Sequence, residues 1–291
     1  MENVSPLWID SHCHFDFQAF DRQRSQYWQQ AQAHGVAGLI IPGITLVQSA
    51  RLVDFCQHQP WWYAQGIHPY FLERPVGPQR RTGLEHRAAP GSTADIDCDD
   101  ELTGISDLLQ CSQPLAVGEI GLDWVLVKRS SEPERTRQQQ FYYFEQQVAL
   151  AQSLKLPVIL HIRGAHDEAL SFLRRSGFTQ GGVVHAFSGS QQQARGWLDA
   201  GFRLGIGGAM SYPRAQKLRA TIRSLPASAW LLETDAPDMS PAFFDGRFNT
   251  PVAVPLYATI LSALTQTPLE QLAMIQRETL QNTFPALKET F

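Results

Sequence analysis

The chain has 291 residues, 43% of them hydrophobic, which is enough for one large core and ordinary for a single α/β barrel. Its net charge of −4 excludes a protein that holds nucleic acid by a strongly basic overall field, so such a partner has to be met by a local basic patch or by metal ions. Cys13, Cys56, Cys98 and Cys111 form no C-x-x-C pair, which speaks against a disulfide framework or a cysteine zinc site and fits a reducing cytosol. Met1–Pro6 lacks the basic-then-apolar pattern of a signal peptide, and no apolar run approaches the roughly 18 residues of a membrane span. A soluble, cytoplasmic chain is expected, and with no heptad pattern or obvious exposed apolar patch, a monomer.

In chain order, strands are expected over Leu7–Cys13, Val36–Ile41, Trp61–Ile67, Leu115–Ile120, Pro157–Ile162, Gly182–Phe187, Phe202–Ile206 and Ala229–Thr234. These runs are apolar nearly throughout, as parallel strands covered by helices are. Amphipathic stretches lie between them. The clearest is Pro133–Leu154, with Phe141, Phe144, Val148 and Ala151 on one face. Strands alternating with helices in this way imply a closed TIM-type (β/α)8 barrel in one domain, residues 1–291. An open doubly wound sheet fits less well, because no Gly-rich dinucleotide turn follows the first strand.

One segment breaks the rhythm. Glu73–Asp100 is rich in Pro, Gly, Arg and acidic residues without apolar periodicity, and reads as a long loop insertion after strand three. In a barrel it falls on the catalytic rim, where Arg80, Arg81 and Arg87 could touch an anionic substrate. Its acidic run, Asp95 to Glu101, lacks the glycine and ligand spacing of a calcium loop. The triplets Gln138–Gln140 and Gln191–Gln193 read as polar helix faces.

Metal-capable side chains fall where such a barrel assembles its active site. His12 and His14 close strand one in Ile-Asp-Ser-His-Cys-His, and alternation would aim both imidazoles one way and Cys13 the other. Glu119 closes strand four, His161 strand five, His185 strand six and Asp235 strand eight. Each alone is weak evidence, but six such residues at the C-terminal ends of five strands point together to a metal site. Buried without metal, they would leave unsatisfied polar groups. Imidazole plus carboxylate without thiolate suits Zn²⁺, Mn²⁺, Fe²⁺ or Mg²⁺. The set exceeds what one catalytic ion takes, so two divalent ions sharing a carboxylate are expected.

The motifs Ile-Asp-Ser-His-Cys-His, Gly66-Ile-His-Pro69, Val117-Gly-Glu-Ile-Gly-Leu-Asp123, Leu160-His-Ile-Arg163, His185-Ala-Phe-Ser-Gly189 and Leu232-Glu-Thr-Asp-Ala-Pro237 occur in this order from Ile9 to about Phe284. In combination they resemble the TatD family of metal-dependent deoxyribonucleases within the amidohydrolase superfamily, and within it the YjjV-type branch. The resemblance implies that His12, His14 and Asp235 hold one ion and His161 and His185 the other, with Glu119 bridging. It places His68 and Arg163 near the scissile group, in contact with phosphate. It implies no carbamylated lysine, because Glu119 takes that position. The chain departs from its relatives at Gly164, where an acidic residue often follows the Arg, at Thr250-Pro-Val252, which lacks a carboxylate beside Asn249, and in the loop after Glu73. All three lie outside the six ligand positions.

Neighbouring residues carry more than one reading. Glu233 shares the inward side of Asp235, either accepting from a ligand histidine or pairing in the core with an Arg or His. Asp10 either orients a ligand histidine from below or forms a buried hydrogen bond. Asp123 reads as a helix cap. His166 is either a rim residue or the start of a helix, and His34, His58 and His86 fall in helix ends or loops. Trp61 and Trp62 read as core before base-stacking platforms.

The reaction implied is hydrolysis of DNA phosphodiester bonds, as a 3′-to-5′ exonuclease on single strands. Two Mg²⁺, Mn²⁺ or Zn²⁺ ions would bring a hydroxide within reach of neutral pH and polarise the phosphoryl oxygen. Asp235 would take the nucleophile's proton, with Arg163 and His68 supplying positive charge. The same ions would serve an ester or amide hydrolase, such as an aminoacyl-tRNA deacylase or a small cyclic amide hydrolase. A non-catalytic scaffold would have lost ligands, and all six are present.

Overall fold

Each apolar run expected as a strand is one, and the eight lie side by side in chain order in a computed structural model that describes residues 7–72, 98–244 and 246–289. They are β1 (Trp8–Asp10), β2 (Val36–Pro42), β3 (Trp61–Gln65), β4 (Ala116–Asp123), β5 (Val158–Arg163), β6 (Gly182–His185), β7 (Phe202–Ile206) and β8 (Trp230–Leu232). Every hydrogen-bonded neighbour is parallel. Around them lie α1 (Arg24–Ala33), α2 (Leu46–Cys56), α3 (Cys98–Cys111), α4 (Trp124–Arg129), α5 (Pro133–Leu154), α6 (His166–Arg175), α7 (Gln191–Asp199), α8 (Gln216–Arg223), α9 (Val254–Thr265) and α10 (Leu269–Thr283). This is the (β/α)8 barrel, with two helices, α4 and α5, between β4 and β5 and two after β8.

The barrel interior draws one buried residue from most strands: Ile9, Ile40, Ala64, Ala116, Ile159, Val183 and Leu231. Leu280, Phe284 and Leu287 of the C-terminal segment pack onto this layer and close the end of the barrel opposite the strands' C-termini. A larger apolar cluster fills the space between strands and helices and includes Trp28, Phe144, Trp197 and Trp230. Trp61 packs there against Phe15, Trp28 and Phe55, and the Trp62 ring lies against Gly38, so both tryptophans are packing residues.

The seam between β8 and β1 is made differently from the others. Ser11 N donates to Leu232 O at 3.0 Å and Asp235 N to His12 O at 2.8 Å. The buried Asp10 carboxyl accepts from Thr234 N at 2.9 Å, from His12 N at 3.3 Å and from the Thr234 hydroxyl. Burial nevertheless pushes it up to about 8. Of its two roles, the buried hydrogen bond is the one observed: Asp10 ties main chain across the seam, and His12 Nδ1 has no partner.

Helix ends follow local chemistry. Thr45 Oγ1 accepts from Gln48 N to start α2, Ser190 and Gln193 form a capping box on α7, and α5 opens on Pro133 and stops where Lys155 turns left-handed at φ 56°. The expected apolar face of α5 is present, but Gln140 is not part of a polar face. It is buried, and its Oε1 accepts from Asp123 N at 2.7 Å. One heptad on, the buried Gln147 accepts from Ile67 N at 2.7 Å and donates to Ile67 O at 3.1 Å. These two amides satisfy main-chain groups at the end of β4 and just past β3.

The expected insertion is shorter than its assigned range at one end, because residues 98–100 already belong to α3. Arg80, Arg81, Arg87, His86, Asp95 and Asp97 lie outside the described residues. Among the described residues no single helix is long and apolar enough to cross a membrane, and α9 and α10, which pass on composition as a pair, are bent by 105°.

Candidate metal centre

The inward alternation that builds the interior layer also builds the site one level up. From Ile159 it reaches His161, from Val183 His185, from Leu231 Glu233 and then Asp235, and from Ala64 His68. Two strands depart from it. In β4 the register shifts between Val117 and Ile120, so Ala116 and Glu119 both point inward while Ile120 and Leu122 pack outside. The peptide between Gly118 and Glu119 is cis. At β1 the strand ends at Asp10 and the chain bends before His12, which turns His12 and His14 inward and buries Cys13 outside. Arg24 holds the following turn by donating to the carbonyls of Phe15, Asp16 and Phe17.

Glu119, 1% exposed, is the hub. Its Oε2 lies 3.2 Å from His12 Nε2 and 3.5 Å from His14 Nε2. Those nitrogens lie 3.5 and 3.6 Å from Asp235 Oδ1. Its Oε1 lies 3.2 Å from His161 Nδ1, 3.5 Å from His185 Nε2 and 3.4 Å from His68 Nε2. The two oxygens of one carboxylate thus face two separate sets of nitrogen atoms. All six residues expected as ligands are brought together, and His68 joins them.

These atoms fit metal. His12 Nε2 and Glu119 Oε2 are buried without a hydrogen-bond partner, a costly state that a cation would relieve. Ligands about 2.1 Å from an ion at tetrahedral angles stand about 3.4 Å apart, which is the spacing observed. His12, His14 and Asp235 form one potential ligand group, and His68, Glu119 and His161 another.

What stands behind each ring decides which nitrogen faces the centre. Asp123 Oδ2 lies 3.1 Å from His161 Nε2 and so takes its N–H, leaving the Nδ1 lone pair directed at Glu119. Glu233 Oε1 accepts from Ala186 N at 2.6 Å and stands 3.2 Å from His185 Nδ1 as a close ionic contact, on the side of the ring away from Nε2, which is directed inward. A third group, His12, His185 and Glu233, is close enough to hold an ion, but Glu233 stands behind the His185 ring, at Nδ1, while Nε2 faces Glu119. His68 is the reverse case. Tyr70 N donates to its Nδ1 at 3.0 Å, so the neutral ring carries its proton on Nε2 and points a donor inward. A protonated Nε2 has no lone pair for a metal, which separates His68 from the ligand set.

Burial works against charge on every ring, and the carboxylates decide the balance. Burial holds His68 down to about 4, with Glu119 opposing, and holds His12 well below the usual imidazole range. For His185 burial is outweighed by Asp235, Glu119 and Glu233, which raise it to about 10. Glu119 is held well below the usual carboxylate range because His68, His12 and His185 outweigh its burial. Burial pushes Asp235 up to about 6, with His185 and His14 opposing.

Asp235 also has an unusual backbone, at φ 55° in the left-handed region, which costs an ordinary residue about 1–3 kcal/mol. The buried Asn249 secures this turn: its Nδ2 donates to Thr234 O at 2.8 Å and its N to Pro237 O at 2.9 Å. At the rim, Arg163 is half exposed, its Nη1 donates to Tyr70 Oη at 3.1 Å, and it lies 3.9 Å from Asp123 Oδ2. Asp123 does cap α4 through Leu126 N, at 2.7 Å, and its contact with His161 is additional. His166 is no rim residue. It is buried at the start of α6, its Nδ1 accepts from Trp197 Nε1 at 3.2 Å, and burial takes it down to about 4. His34 is exposed and bonds within α1, and His58 is exposed. Tyr70, against His68 and Arg163, and Asn249, under the Asp235 turn, are contacts that alternation does not reveal. The only signal for Tyr70 is its place directly after Gly66-Ile-His-Pro69.

Comparison with known proteins agrees with this site. The TatD related DNase family matches residues 9–285. The chain is 36% identical over 269 residues to the uncharacterized metal-dependent hydrolase YjjV of Escherichia coli (strain K12), covering 91% of this chain and 93% of that protein. It is 30% identical over 253 residues to the 3′-5′ ssDNA/RNA exonuclease TatD of Erwinia billingiae, covering 84% and 86%. The crystal structure of E. coli YjjV superposes with a TM-score of 0.81 at 33% identity, over 96% of this chain and 98% of that one. The chain therefore belongs to the TatD-related DNase family and is a metal-dependent hydrolase.

Proposed function

We propose that the chain is a cytoplasmic, monomeric, single-domain phosphodiesterase that uses two divalent ions, Mg²⁺, Mn²⁺ or Zn²⁺, to shorten single-stranded DNA from its 3′ end. The observation that carries the two-ion reading is the division of Glu119, with Oε2 facing His12 and His14 and Oε1 facing His161 and His185. The named activity of the Erwinia relative supports the substrate and polarity. The free cysteines Cys13, Cys56 and Cys111 suit a reducing compartment.

His12, His14 and Asp235 would hold one ion, His161 and His185 the other, with Glu119 shared. Such a pair, when bound, supplies a water of lowered pKa and polarises the phosphoryl oxygen. The chain's own groups do the rest. Asp235 accepts the proton of the attacking water through the oxygen not turned to His12 and His14. His68 Nε2–H, held in that tautomer by Tyr70 N, donates to a phosphoryl oxygen. Arg163 meets the anionic phosphate at the rim, where its guanidinium is accessible. The overall charge of −4 gives no long-range attraction for a polyanion, so the attraction is local.

The test is hydrolysis of end-labelled single-stranded DNA by metal-stripped protein reloaded with each ion, with Asp235→Asn alongside. Metal-dependent shortening from the 3′ end, lost in the variant, is expected. No cleavage with any ion at full metal occupancy would reject the phosphodiesterase reading in favour of a carboxylic ester or amide.

A further inference from the structure

Two groups proposed to meet the scissile phosphate, His68 and Arg163, come from different strands. One residue touches both. Tyr70 follows β3 in the turn after Pro69, with Phe71 N bonded back to His68 O at 2.9 Å. Its backbone N donates to His68 Nδ1, and its hydroxyl accepts from Arg163 Nη1. The ring stands edge-on to His68, with centroids 5.0 Å apart at 86°, and to His161, 5.5 Å apart at 64°. Beside it, Asp123 Oδ2 lies 3.1 Å from His161 Nε2. The direction at the hydroxyl is fixed, because a guanidinium only donates: Arg163 to Tyr70.

We infer that Tyr70 is a positioning residue that presets Arg163 for an anionic phosphate, beside the metal-facing ring of His161. Three features support this. Arg163 is a long side chain, 49% exposed, and the Tyr70 hydroxyl accepts from its Nη1, so without that bond the guanidinium is free to sample solvent. The Tyr70 ring is itself 38% exposed, so its packing alone does not account for its place at the rim. Arg163 lies 3.9 Å from Asp123, too far for a hydrogen bond, so that carboxylate does not replace the Tyr70 hydroxyl as its acceptor. A preset fork costs less ordering when phosphate arrives.

This inference rests on the phosphodiesterase reading, and its test separates the two. Tyr70→Phe keeps the ring and the backbone N–H that fixes His68, and removes only the hydroxyl. With wild type, Tyr70→Phe, Arg163→Gln and the double variant, all metal-loaded, two quantities are read: kcat/KM on a dinucleotide phosphodiester, and the Kd of inorganic phosphate by calorimetry. Tyr70→Phe is expected to lower kcat/KM and weaken phosphate binding by about ten-fold each, the usual effect of losing a hydrogen bond to a charged group. In the Arg163→Gln background the same change is expected to have an effect of less than about two-fold. Melting temperatures should agree. Equal losses in both backgrounds, or a fall in melting temperature that accounts for the loss, would overturn the positioning role and leave the phosphodiesterase reading standing. A wild type that cleaves no phosphodiester and binds no phosphate would overturn both.

Discussion

Glu119→Gln is expected to lower turnover by more than about a hundred-fold and to bring the protein from two bound ions to one or none, while the barrel still folds. The magnitude follows from position. Loss of a group that merely holds a metal ligand costs about 10- to 100-fold, and Glu119 itself stands 3.2–3.5 Å from nitrogens of both sets. An amide is isosteric but has one acceptor oxygen instead of two, so it can serve only one side. The fold should survive because Glu119 lies above the apolar interior layer formed by Ala116 and its neighbours. The metal-free variant should nevertheless melt earlier than metal-free wild type, because His185 owes part of its raised pKa to Glu119. Elemental analysis after gel filtration and a steady-state assay read both effects. Two ions per chain with wild-type turnover would remove Glu119 from the centre.

The second large effect is expected at Glu233, which faces the back of a proposed ligand. Glu233→Gln should weaken metal binding by about 10- to 100-fold, read by competition with a chromophoric chelator, with little change in secondary structure. The charge on Glu233 raises the basicity of His185, and its Oε1 fixes the ring by standing 3.2 Å from Nδ1. Room for this carboxylate exists because residue 205 is glycine, where a Cβ would collide with Glu233 Oε2. Gly205→Ala should therefore reproduce the loss by displacing Glu233. Unchanged affinity in both variants would reduce Glu233 to a packing residue held by Ala186 N.

Much of this arrangement is legible in the sequence because it obeys a period of two. His161, His185 and Asp235 continue the alternation of Ile159, Val183 and Leu231, and their strands were identifiable as apolar runs bounded by breakers. Alternation fails at Glu119 and His12, where a register shift and a chain bend turn the side chains inward. Those two are recognisable by motif rather than by phase. Also beyond a one-dimensional reading are the partners behind the rings. Asp123 behind His161 and Glu233 behind His185 are contacts between strands, the second of which the sequence left as one of two readings, and Tyr70 N behind His68 is a turn contact two residues on; together they decide which histidine nitrogen has a lone pair to offer. Gln140 looked like part of a polar face for the same reason, since its main-chain partner lies on β4.

The most direct measurement is an anomalous difference map from Mn²⁺-loaded crystals. The account expects two peaks: one bonded to His12, His14 and Asp235, the other to His161 Nδ1 and His185 Nε2, with Glu119 reaching both and His68 Nε2 bonded to neither. A single peak, or a metal bonded to His68 Nε2, would contradict it.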